Sequence, residues 1–182
     1  TEFKDSELGR IPKSWEVIKL SGLCSLHYGK SPKEIEDDDG IYPIYGTGGI
    51  VGKAKSALYA GKSIVIGRKG SINNVSFVDS PFWAIDTAYY VEGKNIEMKW
   101  LFYRLQYEGL KKYNEASGVP SLSRDTLYNI AIQSPPASEQ TQICVILDTV
   151  ESQINSLVIK LHQTQSLKKS LIPQPSTFIP KP

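Results

Sequence analysis

Residues 138–173 read SEQTQICVILDTVESQINSLVIKLHQTQSLKKSLIP. Ser138 is predicted to cap a helix here, Glu139 complements the positive helix start, and Pro173 stops the helix. Roughly 34 residues at about 1.5 Å each give a rod about 50 Å long. Apolar side chains recur along it at alternating spacings of four and three residues, which is the heptad pattern of a coiled coil: Ile143, Leu147, Val150, Ile154, Leu157 and Leu161.

A helix of this length cannot bury its whole apolar seam against a domain as small as the rest of the chain. Part of the seam is therefore predicted to meet another helix, most simply one from a second copy, which makes the six seam residues candidates for dimerisation. The alternative is a long helix that folds back on its own domain. Residues 173–182 contain four prolines and are predicted to form a disordered tail.

The segment before the rod has the pattern of short strands and helices. Four runs are rich in β-branched and aromatic residues and lie between glycine turns: IYPIY (41–45), SIVIG (63–67), NVSFV (74–78) and AYYV (88–91). Residues 96–113 have an apolar helical face, and Ile130 and Ile132 suit a last strand. The predicted fold class is α/β (α+β), with a twisted, largely β core and short helices followed by one long coiled-coil helix. The expected boundaries are 1–134, 135–172 and 173–182.

Composition narrows the class of protein. The chain has 182 residues, 40% of them hydrophobic, and a formal net charge of +2. No apolar run approaches the length of a membrane span and no signal peptide is evident, so we expect a cytoplasmic protein without a membrane partner. Cys24 and Cys144 lack metal-ligand spacing and are predicted to be reduced thiols. No metal and no cofactor are expected.

The charges are unevenly distributed. Five of residues 34–39 are acidic, whereas residues 40–78 contain no acid at all and five basic residues. Residues 99–124 are also basic in balance. Basic segments rich in Gly, Ser, Thr and Tyr can follow phosphates through charge and through backbone and hydroxyl donors. The alternative is an ordinary solvated surface.

The stretch SGVPSLSRDTL (117–127) is one candidate DNA contact. A glycine and a proline bend its backbone, and Ser123 can cap a short helix that begins near Arg124. Arg124 can pair with a phosphate or with a guanine edge. Alternatively, the stretch is a well-capped loop in which Arg124 pairs with Asp125 or Glu115. The predicted hydroxyl donors to phosphate are Ser117, Ser121 and Ser123.

Two glycine-containing loops near residues 45–49 and 68–71 are the other candidates, because glycine lets a backbone approach DNA closely. Their residues and the neighbouring lysines complete the predicted DNA-binding set: Tyr45, Gly46, Thr47, Gly48, Lys53, Lys55, Arg68, Lys69 and Ser71. Aromatic residues at strand spacing are more often packed than exposed, so Trp83, Tyr89 and Tyr90 are predicted to lie in the core.

Enzymatic alternatives have weaker support. Residues 44–48 and 134–137 have the outline of amino-methyltransferase motifs but lack the leading Phe and the aromatic residue that stacks on a flipped base. A metal-dependent nuclease could be assembled from Asp79 or Asp86 with Glu92 and Lys94. Two Gly-Lys-Ser triplets lack the spacing of a phosphate-binding loop. No catalytic residue is predicted.

Several pieces of the chain, in their order and spacing, resemble one half of the specificity (S) subunit of type I restriction–modification systems. They are IPKSWEVIKL (11–20), YPIYGTGGIVG (42–52), IVIGRKGSINN (64–74), FWAIDTAYY (82–90) and SGVPSLSRDTLYNIAIQSPPASEQTQI (117–143). The resemblance implies a target recognition domain that reads one part of a split site in double-stranded DNA. It also implies a long helix that sets the distance to the other part.

The same resemblance implies the partners. The subunit would have no catalysis of its own and would recruit methylation (M) subunits and, through them, restriction (R) subunits. This sequence has one recognition segment and one spacer where the family has two of each, so it is expected to be a half-subunit, natural or truncated. Two copies with antiparallel rods would form a homodimer that reads a palindromic split site. The remaining alternative is an assembly module that does not read DNA.

Overall fold

The structure is a computed structural model that describes residues 2–172, so the predicted tail at 173–182 lies outside the described residues. The strands are β1 (Phe3–Ser6), β2 (Gly9–Pro12), β3 (Glu16–Lys19), β4 (Cys24–Tyr28), β5 (Tyr42–Gly46), β6 (Gly49–Ala54), β7 (Ser63–Gly67), β8 (Val75–Val78), β9 (Trp83–Ala84), β10 (Ala88–Gly93) and β11 (Ala131–Ser134). The α-helices are α1 (Leu20–Leu23), α2 (Met98–Glu108), α3 (Arg124–Tyr128) and α4 (Ala137–Leu171), and a 3-10 helix spans Leu110–Tyr113.

A four-stranded antiparallel sheet in the order β4-β10-β7-β8 forms the centre of the fold. Every residue of β7 is buried, so this central strand is covered on both faces. The predicted strands at 63–67, 74–78 and 88–91 correspond to β7, β8 and β10. Of the aromatic residues predicted to be core, Tyr89 is 1% exposed, whereas Trp83 and Tyr90 are only half-buried.

Smaller sheets surround this centre. β5 pairs with β6 in an antiparallel hairpin and with β9 in parallel, β3 pairs with β11, and β1 pairs with β2. The sequence pattern predicted β5, β8 and β11 within one or two residues. It missed β6, which has glycine at both Gly49 and Gly52 and gains its order from the ladder to β5.

The helix predicted over 96–113 is two elements. α2 ends at Glu108 because Gly109 adopts a left-handed conformation with φ of 68°, which glycine tolerates and which terminates a helix. The 3-10 helix Leu110–Tyr113 follows it. The periodic pattern alone could not show this break, because apolar Leu110 continues the buried face on the far side of it.

The long helix is present as predicted. α4 begins at Ala137, so Ser138 lies in the first turn and is not the cap that the sequence suggested. Packing divides the described residues into two units, with the division between Thr141 and Gln142. The mixed α/β class with a sheet-rich core and a long C-terminal helix is confirmed. Within residues 2–172, no helix combines the length and the apolar character needed to cross a bilayer.

Candidate nucleic-acid interface

Two of the loops predicted to face DNA are joined to each other. The Gly70 amide donates to the Pro120 carbonyl at 2.8 Å, and the Leu122 amide donates to the Arg68 carbonyl at 3.0 Å. Lys69 and Ser121 form an isolated antiparallel bridge between these contacts. The loop after β7 and the loop before α3 therefore form one connected ridge, although they are separated by about fifty residues in sequence.

The tip of the β5–β6 hairpin lies beside this ridge. A Cβ atom at Gly70, where φ is +91°, would lie 3.5 Å from the Thr47 hydroxyl. One at Gly48 would lie 3.9 Å from the hydroxyl of Ser71. Three separately predicted candidate loops thus converge on one region of the folded unit.

A cleft of about 330 Å³ opens on one side of the ridge. Three cationic side chains line it, and two carboxylates lie among them. The lining residues of functional interest are Tyr28, Arg68, Lys69, Glu115, Arg124 and Asp125. The three cations belong to the predicted DNA-binding set, but Tyr28 does not. It ends β4 and is far in sequence from all of the predicted loops.

Both arginines lie over the ring of Tyr28. The Cζ atom of Arg124 lies 5.2 Å from the centroid of the Tyr28 ring, and that of Arg68 lies 5.6 Å from it. A guanidinium over an aromatic face gains a cation–π attraction and loses rotational freedom. Tyr28 is 49% exposed, so this arrangement is at the surface.

A buried tyrosine supports Tyr28 from below. Tyr89 is the cross-strand partner of Tyr28 in the β4–β10 ladder, and the two ring centroids are 5.2 Å apart. The Tyr89 hydroxyl donates to the Leu122 carbonyl at 3.3 Å. Burial, and secondarily the neighbouring Tyr28, raise the pKa of Tyr89 to about 12, so the hydroxyl stays protonated. The pair of Tyr28 and Tyr89 therefore contacts both the sheet, through the β4–β10 ladder, and the ridge, through Leu122.

Arg68 is held more firmly than Arg124. Its Nη2 donates to the Asp86 carbonyl at 3.1 Å, and its backbone amide donates to the Thr87 carbonyl at 2.8 Å. Its Nε is buried and has no hydrogen-bond partner among residues 2–172. A buried donor without a partner costs free energy. The other contacts of Arg68 must therefore offset this cost and hold the side chain in place.

The predicted cap at Ser123 is confirmed. The Ser123 Oγ accepts from the Thr126 amide at 3.1 Å and donates to the Thr126 hydroxyl at 3.1 Å. The Glu115 carboxylate accepts from the Ser123 amide at 3.1 Å, and hydrogen bonds from Thr126 and Ser123 hold the pKa of Glu115 below its ordinary value. The hydroxyl of Ser123 is thus engaged inside the loop. Arg124 lies over Tyr28, a contact that neither sequence interpretation foresaw.

The remaining predicted residues lie outside the cleft. Lys53 and Lys55 are on β6 and on the residue after it, against the acidic segment: the Lys53 Nζ donates to the Asp38 carbonyl at 3.4 Å. Tyr45 packs its ring edge-on to Phe82 with a centroid distance of 5.8 Å. Ser117 is exposed, and Gly46 is buried.

The enzymatic alternatives receive no support from the positions of their residues. Glu92 contacts the His27 ring nitrogen at 3.0 Å, and the Lys94 Nζ donates to the Ser21 carbonyl at 3.0 Å. Ser134 ends β11 and Ala137 begins α4, so residues 134–137 are a strand-to-helix connection. In the part of the chain that the structure describes, no three His, Cys, Asp or Glu side chains are grouped as metal ligands.

Comparison with known proteins identifies the family. The family described as "Type I restriction modification DNA specificity domain" matches residues 12–164. The chain belongs to this family. Among curated relatives, it is 27% identical over 164 residues to the type I restriction enzyme EcoDI specificity subunit of Escherichia coli, covering 88% of this chain and 36% of that protein. It is 31% identical over 162 residues to the EcoprrI specificity subunit of Escherichia coli, covering 85% and 39%.

A solved member of this type I specificity family shares the fold. The S subunit of a type I restriction–modification system from M. genitalium superposes with a TM-score of 0.70 at 18% identity, over 86% of this chain and 44% of that one. The α/β fold with a long helix is therefore that of type I S subunits. The chain spans less than half of the length of each of these three relatives.

Proposed function

We propose that this chain is the DNA-recognition part of a type I restriction–modification system. In this proposal, residues 1–134 form a target recognition domain that reads one half of a split double-stranded site. The chain carries out no catalysis, and other subunits do the chemistry. The family match supports the proposal, and so does the cleft in which Arg68, Lys69 and Arg124 converge from two loops.

Within the predicted DNA-binding set, the convergence favours the ridge and the hairpin tip. Lys69 is exposed beside the cleft, where its charge can pair with phosphate. Thr47 lies beside Gly70 and Gly48 beside Ser71, so the hairpin tip and the ridge can follow the same strand of DNA. Lys53 and Lys55 lie next to acidic residues, so their contribution to a phosphate track is weaker.

The long helix is proposed as the spacer and the dimerisation element. Residues 135–172 carry the apolar seam, and its central members are exposed: Val150 by 45%, Ile154 by 53% and Leu157 by 64%. A dimer formed by antiparallel packing of two copies on this seam would have two recognition domains, as a full-length specificity subunit does. The further proposed partners are M subunits and, through them, R subunits, acting in the cytoplasm.

Selection from random duplexes is the decisive experiment. The chain alone, and the chain with its methylation subunit, would each be used to enrich bound sequences at a stated salt concentration. We expect a split, symmetric consensus in at least one preparation. Enrichment of no sequence in either preparation would contradict DNA reading and favour a pure assembly module.

Turnover is the companion measurement. The purified chain is expected to leave DNA unchanged with magnesium and with a methyl donor. Robust cleavage or methylation without added subunits would contradict the proposal and restore the enzymatic alternatives.

A further inference from the structure

We infer that the cleft reads the major-groove edge of a G·C base pair, with Arg124 donating to guanine and Tyr28 positioning it. This inference rests on the proposed function, and it assigns to the cleft a ligand and to Tyr28 a role in specificity. Tyr28 acts through Arg124 and is a positioning residue.

The first support is the shared ring. Arg124 and Arg68 both lie over Tyr28, at 5.2 and 5.6 Å from its centroid. The ring itself is anchored on buried Tyr89. A guanidinium held over a ring has lost part of its rotamer freedom before DNA arrives, so its planar fork of donors binds at a lower entropic cost. Such preorganisation matters most where direction decides the contact, as at a base edge.

The two arginines are not equivalent. Arg68 has one guanidinium nitrogen engaged by the Asp86 carbonyl, and its Nε is buried. Arg124 begins α3 and is exposed. Because a bidentate contact needs two free N–H groups on one edge, Arg124 is the better reader, whereas Arg68 already donates to the Asp86 carbonyl.

The carboxylates argue for a base edge over a phosphate. Glu115 and Asp125 line the same cleft, and hydrogen bonds keep the pKa of Glu115 low, so that its carboxylate is charged at neutral pH. Two negative charges beside the arginines would oppose a phosphate. They suit a G·C pair, whose guanine offers the acceptors O6 and N7 to arginine and whose cytosine offers the N4 amino donor to a carboxylate.

The test compares four proteins in whichever preparation of the wild-type chain enriches a consensus: wild type, Tyr28→Phe, Tyr28→Leu and Arg124→Lys. Arg124→Lys retains the charge but not the fork, and Tyr28→Phe retains the ring. We expect Arg124→Lys and Tyr28→Leu to lower the preference for one G·C pair about 10- to 100-fold. Their affinity for unrelated duplex and its salt dependence should stay near wild type. Tyr28→Phe should keep the preference.

Each outcome decides the inference. If Tyr28→Leu and Arg124→Lys weaken binding to all sequences alike and leave the consensus intact, the cleft binds phosphate and the inference is wrong. If both variants bind as wild type does, the cleft is not used and the inference again fails, while the proposed function stands. If wild type itself enriches nothing, the proposed function fails as well. Thermal melting of Tyr28→Leu separates a lost preference from a lost fold, and Arg124→Lys gives an independent reading.

Discussion

At the scale of single residues, the carboxylate of Glu108 is contacted by three side chains. Its side chain is 9% exposed, and its Oε1 accepts from the Lys112 ammonium at 2.5 Å and from the Tyr113 hydroxyl at 2.6 Å. The Arg104 Nη1 lies 2.7 Å from Oε2 and forms an ion pair with it. Burial alone would raise the pKa of Glu108, but the bonds from Lys112 and Tyr113 and the Arg104 charge together lower it.

Replacing Glu108 by Gln should therefore destabilise the protein in a pH-dependent way. Removing the carboxylate leaves the largely buried Arg104 without its counter-charge, and we expect a loss of about 1–3 kcal/mol in the free energy of unfolding at pH 7. A carboxyl whose folded pKa is depressed contributes stability above its unfolded pKa, and that contribution is lost as the pH falls through the folded value. The difference in the free energy of unfolding between wild type and Glu108→Gln should thus become smaller below about pH 4.3, as measured by denaturant titrations.

Glu2→Gln is the matched control for that measurement. Glu2 pairs with Lys13 at 2.7 Å, but the two side chains are 80% and 61% exposed. Exposed ion pairs contribute little, so this variant should unfold with wild type at every pH. Equal effects of the two substitutions would show that burial does not strengthen the Glu108 cluster.

Single residues also show which parts of the candidate site could not be predicted from the sequence. Arg68, Lys69 and Arg124 were recognisable as candidates because arginine and lysine in glycine-broken loops are typical of phosphate and base contacts, and their contact with DNA stays a prediction. Tyr28 was not, since its two guanidinium contacts come from residues 40 and 96 positions later in the chain. Local sequence carries no signal for such a contact. It depends on the β4–β10 pairing, which brings Tyr28 to Tyr89 and to the ridge.

At the scale of elements, α3 has five residues and depends on its cap. Ser123 precedes the helix and its Oγ accepts from the Thr126 amide, satisfying a donor that the helix itself cannot. Ser123→Ala should lower the free energy of unfolding by about 1 kcal/mol. Denaturant titration would measure this, with Ser117→Ala as the matched control, because Ser117 is exposed in the same loop.

The two serine variants also test whether the cap is the source of the lost stability. If Ser117→Ala is as destabilising as Ser123→Ala, the cap is not the source of the loss. The Ser123 cap is a hydrogen bond between neutral groups. The loss of stability caused by Ser123→Ala should therefore be the same at low and at high salt.

Elements were predictable from the sequence where the pattern is local. β7 and β10 were recognised from β-branched and aromatic runs, and α4 from a seam that repeats over many turns. β6 was missed because its order comes from a ladder to β5, and α2 was overextended because Gly109 stops it without changing the apolar period. Tertiary pairing and a single backbone conformation decided these cases.

At the scale of the whole molecule, the exposed seam of α4 predicts a dimer. Apolar side chains at coiled-coil spacing are stable in water when a partner helix covers them. Val150→Glu, Ile154→Lys and Leu157→Glu together place three charged groups in the apolar seam, where burying a charge costs free energy. We expect the triple variant to be monomeric in light scattering. Ser152→Glu with Ile159→Lys is the matched control, because both residues are on the opposite side of the helix by its period of 3.6 residues.

The same variant tests whether symmetry in the protein produces symmetry in the recognised site. A dimer related by a two-fold axis presents the same reading surface twice, so wild type should select two inverted copies of one half-site at a fixed separation. The monomeric variant retains the cleft and should select a single half-site with lower affinity, whereas the control should keep the split consensus. Random-duplex selection and light scattering on the same preparations would check this. A split consensus from a chain that scatters as a monomer would show that the spacing is set by something other than α4.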